Sequence, residues 1–87
     1  MALDIAFKGG SFNDFLDWRK MDQKIFKRIA DLIEDARRHP FEGIGKPEPL
    51  KHQFKGCWSR RINDEHRLVY KVNQDCIEIV SCKYHYK

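Results

Sequence analysis

From Phe54 to Tyr84 the chain runs through three apolar, β-branched and aromatic segments, separated only by the polar triplets Asn63-Asp64-Glu65 and Asn73-Gln74-Asp75. Turns this short cannot carry a chain across a sheet, so each strand must pair antiparallel with the next. The strands are expected at 54–62, 66–72 and 76–84. Side chains alternate between the two faces of a strand. Leu68, Tyr70 and Val72 therefore share one face, and Arg67, Val69 and Lys71 share the other. If Trp58 and Ile62 point to the core, Arg61 joins Arg67 on the open face.

The N-terminal half supplies cover for that sheet. Residues 3–7 alternate as a short strand, and Gly9-Gly10 breaks it. Ser11, with Asp14 three residues on, resembles a capping box that starts a helix reaching about Arg19. Asp22 is the expected cap of a longer helix, with Met21 and Phe26 placed as a hydrophobic staple. Ile25, Ile29, Leu32, Ile33 and Ala36 form one apolar stripe along it. Arg37 and Arg38 suit the C-terminal end of the helix dipole, and Pro40 stops the helix. A strand, two helices and three strands give an α+β fold, a small antiparallel sheet with both helices on one face. At 87 residues the chain is expected to form one domain, 1–87, with a thin core.

Charge narrows the partners. Residues 37–71 hold nine Lys or Arg against four acids, a net +5 in a chain whose total is +4. A cationic centre favours polyanions, nucleic acid first. Three cysteines provide no paired disulfide framework and fit a reducing cytoplasm. Neither a signal-length nor a membrane-length apolar run is present.

Three places carry possible chemistry. In Lys46-Pro47-Glu48-Pro49-Leu50-Lys51 two prolines stiffen the chain around Glu48, which suits a general base because a misplaced base loses rate. Alone, the same triplet describes an ordinary surface turn. Arg61 and Arg67, on adjacent strands and one face, can clamp a phosphate; solvated strand positions explain them equally well. The end, Lys83-Tyr84-His85-Tyr86-Lys87, joins a titratable ring to stacking rings and cations. His66, His39 and His52 read as structural, and Cys82 as a small buried residue. One Cys and one His at 82 and 85 make a poor zinc site. Gly43 and Gly45 are not a phosphate loop, since no helix follows. RNA brings its own nucleophile, the ribose 2′-hydroxyl. Its cleavage needs a base, a cation for the phosphorane charge and an acid for the leaving 5′-oxygen, with no metal or other cofactor. Glu48, Arg67 and His85 suit those three roles.

Residues 41–51, Trp58-Ser59-Arg60-Arg61-Ile62, His66-Arg67-Leu68-Val69-Tyr70 and Lys83-Tyr84-His85-Tyr86 together resemble the YoeB toxins of the RelE-like superfamily. The likeness covers essentially the whole chain. It implies the microbial RNase-like RelE fold and an mRNA endoribonuclease working in the ribosomal A site. By that pattern Glu48 is the base, Arg67 stabilises the transition state and His85 is the acid. Tyr86 holds substrate, and Lys51 and Arg61 match basic positions near the phosphate; Lys46, close to Glu48 in sequence, is a further candidate for binding substrate. The resemblance also implies a YefM-type antitoxin, a homodimer, and operator DNA reached only through the antitoxin. The pattern usually ends on the tyrosine, whereas this chain adds Lys87. The rival expectation is a module that binds RNA or the ribosome without cutting, or a co-repressor acting with its antitoxin.

Overall fold

The structure is a computed structural model and describes residues 2–84. Strand β1 (Asp4–Phe7) leads into helices α1 (Ser11–Met21) and α2 (Gln23–Arg38). A two-residue strand β2 (Glu48–Pro49) and a 3-10 turn at His52–Phe54 precede β3 (Cys57–Arg61), β4 (Arg67–Val72) and β5 (Cys76–Ser81). The sheet order is β1-β5-β4-β3-β2. The meander β3-β4-β5 is antiparallel as expected, but β1 joins β5 in parallel, with Asp4 opposite Cys76 and Phe7 opposite Ile79, so the sheet is mixed. The expected strand at 54–62 starts three residues late, because 52–54 coil into the 3-10 turn and Gly56 takes φ +98.

Asp22 caps α2 as its sequence context requires: its carboxylate accepts from the Lys24 and Ile25 amides at 3.0 and 3.2 Å. The stripe below it is buried at Ile29, Leu32, Ile33 and Ala36, and Ile25 packs at its edge. These side chains meet Leu68 and Tyr70 of β4 and Ile77 and Ile79 of β5, all fully buried. Each large aliphatic contributes about 1.5–3 kcal/mol by leaving water.

Two N-terminal expectations change. Ser11 is not a cap; it is the first helical residue, buried, and Gly10 holds the cap position without a side-chain bond. The Ser11 hydroxyl instead donates to the Ile79 carbonyl at 2.9 Å and accepts from the Lys8 amide, joining α1 to β5. Met21 stays 60% exposed and forms no staple; Phe26 stacks on Phe15, and Phe15 on Phe7.

The core side of β3 holds a residue that alternation implied but hydrophobicity hid. Between Trp58 and Ile62, Arg60 must also point inward, and it is completely buried. All five of its N–H donors are used. Nε donates to Tyr70 Oη (3.0 Å), Nη1 to Asp35 Oδ2 (2.6 Å) and the Ile44 carbonyl (3.1 Å), and Nη2 to the His39 and Glu42 carbonyls (2.6 and 2.9 Å). Tyr70 Oη in turn donates to the Pro40 carbonyl. The Gly/Pro-rich loop after α2 is thus wound around a guanidinium. Gly43 (φ +119) is required there, since a Cβ would collide with the Asp35 carboxylate.

Candidate active site

Pairing of β2 with β3 decides where Glu48 goes. Glu48 stands opposite Ser59, Ser59 opposite Val69, and Val69 opposite Ser81, so the four form one row across the sheet. Residues paired in a row share a face, here the one opposite the helices. The next row holds Arg61 directly opposite Arg67. Strand rise and spacing put the Glu48 and Arg67 Cα positions about 12 Å apart on that face. Pro47 immediately precedes this two-residue edge strand and Pro49 is its second residue, a place where missing N–H groups are tolerated.

Ser59 and Val69, at the centre of the row, are each 1% exposed, so the face opposite the helices has a closed floor rather than a bare surface. Leu50 is buried as well. A cleft of about 510 Å³ opens beside Glu48 and is lined by residues 48–54, Lys51 among them. Lys46 lies just before β2, exposed and in left-handed backbone at φ +52. Arg61 is exposed, and its amide donates to the Gly45 carbonyl at 2.7 Å, which anchors the approach to Lys46. The Glu48 carboxylate has no ion pair or hydrogen bond among the described residues.

Arg67 is half-buried. Among the described residues only its Nη1 is engaged, donating to the Asn63 carbonyl (2.6 Å) and the His66 carbonyl (3.0 Å). These bonds point the guanidinium from the turn without an acidic partner. Its backbone amide donates to the Tyr84 carbonyl at 3.1 Å, which brings the chain end to the same corner. His85, Tyr86 and Lys87 lie outside the described residues. The structure therefore groups Glu48, Arg61 and Arg67 on one face, with Lys51 in the cleft beside Glu48 and Lys46 just before β2, and leads the chain to Tyr84 beside Arg67.

His66, at the junction of turn and strand, packs into the fold. It is buried, meets the Trp18 ring edge-on and accepts at Nδ1 from the Tyr84 amide at 2.7 Å. Trp18 Nε1 donates to the Cys82 carbonyl. Burial pushes the Cys82 thiol up to about 12, with Asp14 adding to it and Lys83 opposing, so this thiol is inert at neutral pH. His39 closes α2 and lends its carbonyl to Arg60; His52 opens the 3-10 turn at φ +58. No cluster of three metal-ligating side chains occurs among the described residues. Among them, too, no helix is long and apolar enough to cross a membrane.

Residues 7–86 match the family described as the YoeB-like toxin of bacterial type II toxin-antitoxin systems. Toxin YoeB of Escherichia coli K12 is 58% identical over 76 residues, 87% of this chain and 90% of that protein. A YoeB/ParE toxin from Agrobacterium tumefaciens superposes with a TM-score of 0.92 at 41% identity, covering 97% of this chain and all of the other. YoeB of Staphylococcus aureus, solved as a dimer and in a heterotetrameric complex with YefM, gives TM-scores of 0.89 and 0.88 at 47% identity, covering 99% of this chain and all of the other.

Proposed function

The chain belongs to the YoeB-like toxin family of bacterial type II toxin–antitoxin systems, and on that premise we propose that it is a metal-independent endoribonuclease cutting mRNA in the ribosomal A site of the cytoplasm. The observation that carries the reading is the register of β2 on β3, which sets Glu48 across one sheet face from the Arg61–Arg67 pair. Glu48 takes the proton from the ribose 2′-hydroxyl as that oxygen attacks the adjacent phosphorus. Arg67 stabilises the charge that grows on the equatorial oxygens, and His85 delivers a proton to the departing 5′-oxygen. The products are a 2′,3′-cyclic phosphate and a 5′-hydroxyl, so atoms and charge balance without a metal. Lys46, Lys51 and Arg61 attract and seat the backbone, and Tyr86 stacks on the substrate. A YefM-like antitoxin neutralises the toxin by covering this basic face. The active form is a homodimer, and operator DNA is reached only through the antitoxin.

The test is induction of the chain in growing cells, with mRNA 5′ ends mapped on translating ribosomes. Wild type is expected to arrest growth and leave new ends within A-site codons. Glu48→Ala, Arg67→Ala and His85→Ala should abolish both while remaining folded. Stalled ribosomes on intact message would instead identify a binder that does not cut.

A further inference from the structure

Tyr84 stands out as a strained residue held at both ends of its peptide unit. Its φ is +63, a left-handed conformation that a non-glycine residue keeps only when its surroundings fix it. Two consecutive residues at the start of β4 do so. The Tyr84 N–H is donated to His66 Nδ1 at 2.7 Å, and the Tyr84 carbonyl accepts from the Arg67 amide at 3.1 Å. The imidazole that receives the first bond is itself locked. It is 6% exposed, its ring centroid lies 4.7 Å from that of Trp18 in an edge-on contact and 5.4 Å from that of Tyr84. A ring nitrogen accepts only when it carries no proton, so the His66 proton resides on Nε2, which lies 3.7 Å from Glu65 Oε1. Two further bonds hold the approach: Trp18 Nε1 to the Cys82 carbonyl, and Ser81 Oγ to the Lys83 carbonyl.

We propose that His66 is a positioning residue for the reaction: its Nδ1 fixes the Tyr84 peptide in left-handed backbone and so sets the point from which His85 and Tyr86 depart. The inference rests on the assignment of His85 as the acid, which it deepens by identifying what aims the chain end. Arg67 then serves twice, its guanidinium toward the phosphate and its backbone amide toward the Tyr84 carbonyl.

Two variants separate the acceptor from the ring. His66→Asn places Oδ1 where Nδ1 sits and keeps the bond. His66→Phe keeps the aromatic packing on Trp18 and loses it. A third protein leaves His66 intact: ligation of a synthetic 82–87 peptide at Cys82, with the Tyr84 amide replaced by an ester, removes only the donor. Each full-length protein is assayed for cleavage of mRNA on purified translating ribosomes, with kcat and KM separated, and those that retain the Tyr84 amide are assayed for its exchange by NMR. The expected result is a kcat loss of roughly 10- to 100-fold for His66→Phe and for the ester, as for a group displaced by about an ångström, with KM within about twofold. His66→Asn keeps wild-type kcat. The Tyr84 amide, slow in wild type and His66→Asn, exchanges fast in His66→Phe. Wild-type kcat in the ester protein overturns the inference, and so does a His66→Asn as slow as His66→Phe. Full activity in His85→Ala would overturn the catalytic assignment instead, and the exchange measurement would still report on the clamp.

Discussion

Replacing Arg60 with Met tests whether a fully buried charge organises the loop that precedes Glu48. Met follows the aliphatic stem of Arg about as far as Nε and brings no donor in place of the guanidinium. The change orphans Asp35, already within 2.6 Å of the guanidinium, together with the Ile44, His39 and Glu42 carbonyls and one acceptor role of Tyr70 Oη. Removing one partner of a buried ion pair costs about 3–5 kcal/mol. The Asp35 side chain is 25% exposed and keeps its bond to the Ile44 amide, which favours the lower part of that range, about 3–4 kcal/mol. A chain of this length has about 4–13 kcal/mol in total, so the loss takes a large share. In thermal unfolding it corresponds to a fall of about 12–30 °C. Urea denaturation followed by the fluorescence of Trp18 and Trp58 measures it. Arg60→Lys, with three donors for five acceptors, should fall between, about 2 kcal/mol below wild type. Combined with Asp35→Asn, Arg60→Met should show a coupling of about 2 kcal/mol, since each change removes the same bond. A loss below about 1 kcal/mol for Arg60→Met, or strict additivity with Asp35→Asn, would refute the cage as a stabilising structure.

Other outcomes follow from the same contacts. Burial pushes the Asp35 carboxyl up, but its Arg60 hydrogen bond, the Ile44 amide and the Arg60 charge outweigh this and hold it below its ordinary 3.8. Its stabilising contribution is therefore complete above that value and fades as pH falls through it toward the lowered folded value; denaturation from about pH 6 to pH 2 should show a steeper loss in wild type than in Asp35→Asn. Gly43→Ala should destabilise by about 1–3 kcal/mol in the same urea assay, through its positive φ and the collision with Asp35. Leu32→Ala, at the centre of the α2 stripe, should cost about 2–5 kcal/mol. Arg61→Ala and Lys51→Ala should raise KM for translating ribosomes more than they lower kcat, and each should reduce the salt slope of binding by about one ion.

Local signals carried the helices and the meander. Asp22, the 25–36 stripe and the two polar triplets each act over a few residues, and the structure forms the elements these signals call for, although β3 starts at Cys57 rather than 54 and β5 ends at Ser81 rather than 84. Long-range pairings left no such trace. Nothing in Leu3–Phe7 says that it will lie parallel to β5, because that contact joins Asp4 to Cys76. Ser11 misled because one hydroxyl can cap a helix or satisfy a distant carbonyl, and only the fold chooses Ile79. Glu48 was legible as a stiffened carboxylate, but its edge strand was not, since two residues of which the second is a proline carry no strand pattern. Arg60 was legible in principle: two consecutive arginines on one strand must face opposite ways, and the inward one needs a cage. The signal missed was the loop of free carbonyls wound by Gly43 and Gly45.

The place of β5 in the sheet has a consequence for how the molecule is made. The ribosome delivers this strand after every other described element, yet it sits between β1 and β4 and supplies Ile77 and Ile79 to the floor beneath both helices. Until it emerges, β1 has no neighbour and the α2 stripe lacks part of its floor, while β2, β3 and β4 can already pair. The nascent chain therefore waits half-built, and the corner that holds Arg67 and Tyr84 closes only when the last strand slides in. The described fold is in this way completed only once β5 has emerged.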